Sequence, residues 1–101
     1  MLLHLPIAIL ASLPLTPVAD TVPKFDIARG CEAEGDTPAL RKKCADDEAE
    51  ARDQLQPEWA QFDASDKATC LGETTIDSTP SYVELLTCLE MARDVKKSSP
   101  E

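Results

Sequence analysis

The chain has few of the groups on which enzyme chemistry usually rests. Its single histidine is His4. Nucleophilic and general acid–base catalysis need a base held within reach of a nucleophile, and histidine is the commonest one. The three glycines, Gly30, Gly35 and Gly72, are scattered and form no phosphate-cradling loop. There is no C-x-x-C redox pair, and Asp46, Asp47, Glu48 and Glu50 lack the spacing of a calcium loop. No segment alternates apolar and polar residues with period two, which argues against half-buried strands. Aromatics are limited to Phe25, Trp59, Phe62 and Tyr82. At helical spacing, Trp59, Phe62 and Tyr82 are expected in the core rather than around a ligand.

Positive charge is also scarce. Ten basic residues face nineteen acidic ones in 101 residues, for a net charge of −9. Every charged residue lies at or after Asp20. Such a balance repels phosphates, which argues against nucleic acid and anionic membrane surfaces. It permits a cationic partner, although solubility alone accounts for it.

The first residues are different in kind. Leu2 to Val18 is apolar apart from His4, Ser12 and Thr16, and is interrupted by Pro6, Pro14 and Pro17. An internal proline costs a helix about 3 kcal/mol, and the run is shorter than the ~20 residues that span a bilayer. Residues 1–19 read instead as a secretory signal peptide cleaved after Ala19. They depart from that pattern in lacking Lys or Arg near the start and in placing Pro17 at the −3 position. An uncleaved N-terminal anchor is the alternative. Cleavage would remove His4 and leave a periplasmic or secreted protein with no histidine.

The remaining chain predicts an all-α fold: a small three-helix domain over 37–97, an irregular arm over 20–36 and a frayed tail over 98–101. Phe25 and Ile27 of the arm are expected to tuck against the helices. The first helix is expected over 38–55, with Thr37 as its cap and Pro38 in its first turn. Leu40, Cys44, Asp47 or Glu48, Ala51 and Leu55 form its inward stripe. Glu48 and Arg52 are a favourable pair four residues apart. Pro57 should end this helix and open the second, over 57–71, whose stripe is Trp59, Phe62, Asp66 and Cys70. Asp63 and Lys67 pair outside that stripe, and Gly72 is the expected C-cap. Asp66 interrupts the stripe, so a restart capped by Ser65 is an alternative to one continuous helix. Ile76 is the expected anchor of the following loop. Thr79 and Pro80 repeat the cap-and-proline start. The third helix, over 80–96, carries Leu85, Cys88, Leu89, Ala92 and Val95, widened by Tyr82, Leu86 and Met91. Lys96 and Lys97 complement its dipole.

A core this small benefits from covalent help. The four cysteines, Cys31, Cys44, Cys70 and Cys88, contain no close pair of the kind that structural zinc sites use. They read as two disulfides, which an oxidising compartment allows. With a turn near Gln56, Cys44 and Cys70 stand at similar heights, roughly 20 Å along antiparallel arms. That geometry predicts Cys44–Cys70 and leaves Cys31–Cys88.

The order Cys31, Cys44, Leu55, Trp59, Phe62, Cys70 resembles the small secreted helical domain of the LprI-like lysozyme-inhibitor family. The resemblance spans residues 31–70. This chain lacks the segment which that family carries between its leucine and its tryptophan. The ending from Ser81 to Cys88 is more similar to small secreted bacterial four-cysteine helical proteins. No inhibitory residue transfers to a position here. The resemblance implies a non-catalytic, inhibitor-like module.

The expectation for function is therefore an exported protein that is not an enzyme, needs no cofactor or metal, and binds a cationic protein. Asp46, Asp47, Glu50 and Asp53 on the first helix are the candidate binding face. An envelope structural or stress protein without a dedicated partner is the alternative. A hydrolase or metal carrier is the remaining reading. A glycosidase would need paired carboxylates such as Asp46 and Glu50 across a cleft, which a domain this small hardly offers, and these acids are expected to form a solvated helix face.

Overall fold

The computed structural model describes residues 21–32, 37–76 and 79–98, and these are mostly helical with no strand among them. The expected signal peptide, residues 33–36 of the arm and residues 99–101 of the tail lie outside them. Four helices follow in order: α1 (Ile27–Glu32), α2 (Pro38–Glu58), α3 (Ala64–Thr74) and α4 (Tyr82–Ser98). The fold class is as expected, with one addition. The arm is not irregular throughout, because it carries the short helix α1.

The start of α2 follows from its sequence. Thr37 is extended, and its Oγ1 accepts from the Leu40 amide at 3.1 Å, satisfying one of the free donors of the first turn. Its end does not follow the expectation. Pro57 sits inside the last turn of α2, and the helix runs on to Glu58 and into a 3-10 turn, Trp59–Gln61. So close to the end, proline forfeits one hydrogen bond to a carbonyl that the exposed helix surface leaves open to water. The buried positions Glu48, Ala51, Leu55, Trp59 and Phe62 thus form one continuous stripe at steps of three and four. The chain turns at Phe62 and Asp63, and α3 begins at Ala64 with Asp63 at its N-cap position. Neither Pro57 nor Ser65 starts a helix. Gly72 lies within α3 and does not end it.

The last helix starts two residues later than expected. Ser81 takes the capping role assigned to Thr79: its Oγ accepts from the Glu84 amide at 3.2 Å and its carbonyl from the Leu85 amide at 3.0 Å. Thr74 closes the connection from α3. Its hydroxyl oxygen accepts from the Ser81 amide at 3.2 Å, and its one proton has the Ser81 carbonyl and Glu84 Oε1, both at 3.3 Å, as acceptors. Ile76, expected to anchor this loop, is 80% exposed.

Helix α4 packs against both α2 and α3, and α1 packs against α2. Among the described residues α2 and α3 make no close backbone approach, and each packs instead on α4. This overturns the expected cysteine pairing. The disulfides are Cys31–Cys44, joining α1 to α2, and Cys70–Cys88, joining α3 to α4. A Cys44–Cys70 bond would need its Cα atoms within about 7 Å, and α2 and α3 do not approach that closely.

The core consists of Ala51, Leu55, Trp59, Phe62, Cys70, Tyr82, Leu85 and Leu89, with Val22, Phe25, Ile27, Leu71, Leu86 and Cys88 packed on it. Each large side chain fully buried there contributes about 1.5–3 kcal/mol. The three aromatics are core residues, as expected. Tyr82 also pins the arm: its hydroxyl donates to the Pro23 carbonyl and accepts from the Phe25 amide, both at 2.8 Å, while the Phe25 ring lies 4.6 Å away. Leu40, Met91 and Val95, assigned to inward stripes, are exposed.

Candidate functional site

The acidic face expected on α2 exists, but it is partly neutralised. Asp46, Glu50 and Asp53 share one face by their spacing, and Asp47 lies at its edge. Lys42 contacts Asp46 at 2.8 Å, Lys43 contacts Asp47 at 2.9 Å, and Arg52 contacts Asp53 at 3.2 Å. All four carboxylates are exposed. The carboxylates raise the pKa of Lys42 and of Lys43, first through the hydrogen bonds that these lysines donate to Asp46 and Asp47.

Glu48 behaves differently from its neighbours. It is 8% exposed and points at the start of α4. Its Oε1 accepts from the Tyr82 amide at 2.6 Å. Its Oε2 accepts from the Ser81 hydroxyl at 2.6 Å and from the Val83 amide at 3.3 Å. Free amides and the positive end of the helix dipole thus stabilise a buried carboxylate with which no cation among the described residues pairs. The expected Glu48–Arg52 pair is absent because Glu48 faces inward. Glu48 lies one turn from Cys44 and from Ala51, on the buried stripe, so its spacing was a signal for this role. Both of its oxygens are engaged, so its role is to join two helices.

Beside Glu48 lies a depression of about 430 Å³ between α1, α2 and the start of α4, lined by Ile27, Leu40, Lys43, Asp47, Val83 and Glu84 and by the Cys31–Cys44 disulfide. A second, of about 400 Å³, continues along α4 past Thr87 and Cys88 to Met91, with Glu73 on its far side. Val83 and Glu84 are common to both. Glu73 Oε1 lies 3.7 Å from Cys88 Sγ. This is a contact and not a hydrogen bond, since an oxidised sulfur carries no proton.

Two charge clusters hold the other end of the bundle. Arg93 lies over the Phe62 ring at 5.1 Å and reaches Glu58 at 3.3 Å and Glu90 at 3.9 Å. Its Nε is buried with no hydrogen-bond partner, the Asp94 carboxylate being 3.8 Å away. Gln54 Nε2 donates to Glu58 at 3.4 Å and to Glu90 at 3.2 Å. Burial, and then the charge of Glu58, pushes the Glu90 carboxyl above its ordinary pKa. Lys96 joins the end of α4 to the start of α3 through Asp63 and through Asp66 at 2.9 Å, and these hydrogen bonds raise its pKa, Asp63 first. The expected Asp63–Lys67 pair gives way to this arrangement, and Lys67 lies 4.8 Å from the Trp59 ring centre.

The four thiols are consumed in the disulfides, and His4 lies outside the described residues. No helix among the described residues is long and apolar enough to cross a membrane. No family model, curated protein or solved structure matches the chain.

Proposed function

We propose that this is an exported, non-catalytic module that binds a cationic protein, in the manner of an inhibitor. The observation that carries this reading is an acidic chain, with a net charge of −9, whose carboxylates stand on helices stapled by two disulfides. A stapled surface loses little conformational freedom on binding, and negative charge speeds encounter with a basic partner. The disulfides are compatible with an oxidising periplasmic or extracellular compartment. The resemblance of residues 31–70 to LprI-like lysozyme inhibitors supports the same class of partner, a basic hydrolase.

One observation favours a second reading. Asp46, Asp47 and Asp53 are each satisfied by a cation on their own helix, as on any solvated helix surface. A structural or stress protein of the envelope with no dedicated partner would look the same there. Capture from envelope extract at low and high salt decides between them. A basic protein retained only at low salt is expected. Retention of nothing that salt releases would overturn the binding reading.

A further inference from the structure

The two depressions flanking Val83 and Glu84 have more in common than a shared wall. Of the five large apolar side chains exposed among the described residues, three line them: Leu40 at 53%, Val83 at 40% and Met91 at 62% exposure. The charges beside these side chains are mostly negative. Asp47, Glu48, Glu84 and Glu73 face a single cation, Lys43, which already holds Asp47. Among the described residues no lysine or arginine lies within ion-pair distance of Glu73 or Glu84. A disulfide cysteine lines each half, Cys44 in one and Cys88 in the other. Each half is therefore braced by a cross-link, and its lining is apolar and negatively charged.

We propose that these depressions form one groove that takes an extended segment of the partner, with apolar side chains set on Leu40, Val83 and Met91 and lysine or arginine set on Glu84 and Glu73. The proposal rests on the cationic-partner reading and moves its contact point from the exposed face of α2 to the groove beside α4. Charge selects this occupant. A second copy would bring its own −9 charge, and the apolar segment Leu2–Val18 has no lysine or arginine to offer. Length fits as well. Val83 and Met91 stand about 12 Å apart along α4, a distance that about four residues of extended chain cover. Alternate side chains of such a segment point to opposite sides, so a pattern alternating apolar and basic residues suits the groove.

The test is titration of the oxidised, isotope-labelled full chain with a heptapeptide alternating lysine and leucine, followed by amide NMR shifts at low ionic strength. Shifts should centre on Leu40, Val83, Glu84 and Met91. Binding should weaken about tenfold in Val83→Ser with Met91→Ser and in Glu73→Gln with Glu84→Gln, while Ile76→Ser and Asp53→Asn leave it unchanged. Peptides alternating lysine with serine, or glutamate with leucine, should bind the unaltered chain about tenfold less well, a readout independent of any variant's folding. Shifts centred on Asp46, Glu50 and Asp53, indifferent to the groove variants, would overturn the groove and leave the cationic reading standing. No binding at all would also overturn the groove, with salt-dependent capture still deciding the broader reading. Groove shifts that grow with protein concentration alone, or contacts from residues 1–20 to Val83 or Met91, would assign the groove to a second copy or to the chain itself and equally overturn the proposal.

Discussion

The Tyr82 amide donates to Glu48 Oε1 at 2.6 Å, so a carboxylate of α2 does the work of an N-cap for α4. The bond joins residues far apart in the chain. It sets the height at which the two helices meet, and it places Val83 and Glu84 on the rim of the groove.

Replacing Glu48 should therefore cost more than replacing any acidic neighbour. Glu48→Ala leaves the Tyr82 and Val83 amides and the Ser81 hydroxyl without their acceptor, a loss of about 1–3 kcal/mol. Glu50→Ala, on the exposed face, should stay within about 0.5 kcal/mol. Urea unfolding followed by circular dichroism compares the two. Equal effects would mean that the buried carboxylate contributes no more than a surface one.

The disulfides can be read without mutation. Proteolysis without reductant should release fragments linking Cys31 to Cys44 and Cys70 to Cys88. A Cys44–Cys70 fragment would contradict the helix order. Each bond closes a short loop, worth about 3 kcal/mol by chain entropy. Cys70 belongs to the central core and Cys31 does not. The paired serine variant at Cys70 and Cys88 should thus lower the unfolding midpoint more than the variant at Cys31 and Cys44.

Glu90 should make stability depend on pH in an unusual direction. Its carboxyl titrates above its ordinary range because of burial and the nearby Glu58. A folded pKa above the unfolded one means that the folded state holds the proton more tightly, so this group weakens the fold as pH rises through that window. Glu90→Gln should stabilise the protein at neutral pH, by less than about 1 kcal/mol given its partial exposure. The gain should vanish below the ordinary glutamate range. Thermal melts of both proteins across that range check the sign.

Pro57 offers a gain of another kind. It lies exposed inside α2, where its ring denies the helix one hydrogen bond. Pro57→Ala should stabilise the fold by about 1–3 kcal/mol. A loss of stability in the melt would show instead that the proline steers the chain into the turn at Phe62.

Particular residues show how far the sequence could be read. The Thr37–Pro38 start was legible because a cap is a local device, settled by a side chain and an amide three residues on. The stripe from Ala51 through Leu55 and Trp59 to Phe62 was legible too, although Pro57 falls within it and signals a helix end. The spacing does not break at Pro57, and burial of Trp59 and Phe62 outweighs one missing hydrogen bond. Glu48 was visible only as an acid in an apolar stripe. Its partners come from α4, and no local pattern names them. The groove was not legible, since Leu40 and Met91 carry the same periodicity as residues that are buried.

By itself, the sequence determined that this protein is helical, acidic and cross-linked, because propensity, charge and thiol chemistry are properties of residues and their near neighbours. Which sulfur meets which, and which apolar residues remain in water, only the tertiary structure decided. The cause is the position of α4. It packs on both α2 and α3, which do not approach each other closely, so Cys88 meets Cys70 while Val83 and Met91 stay exposed.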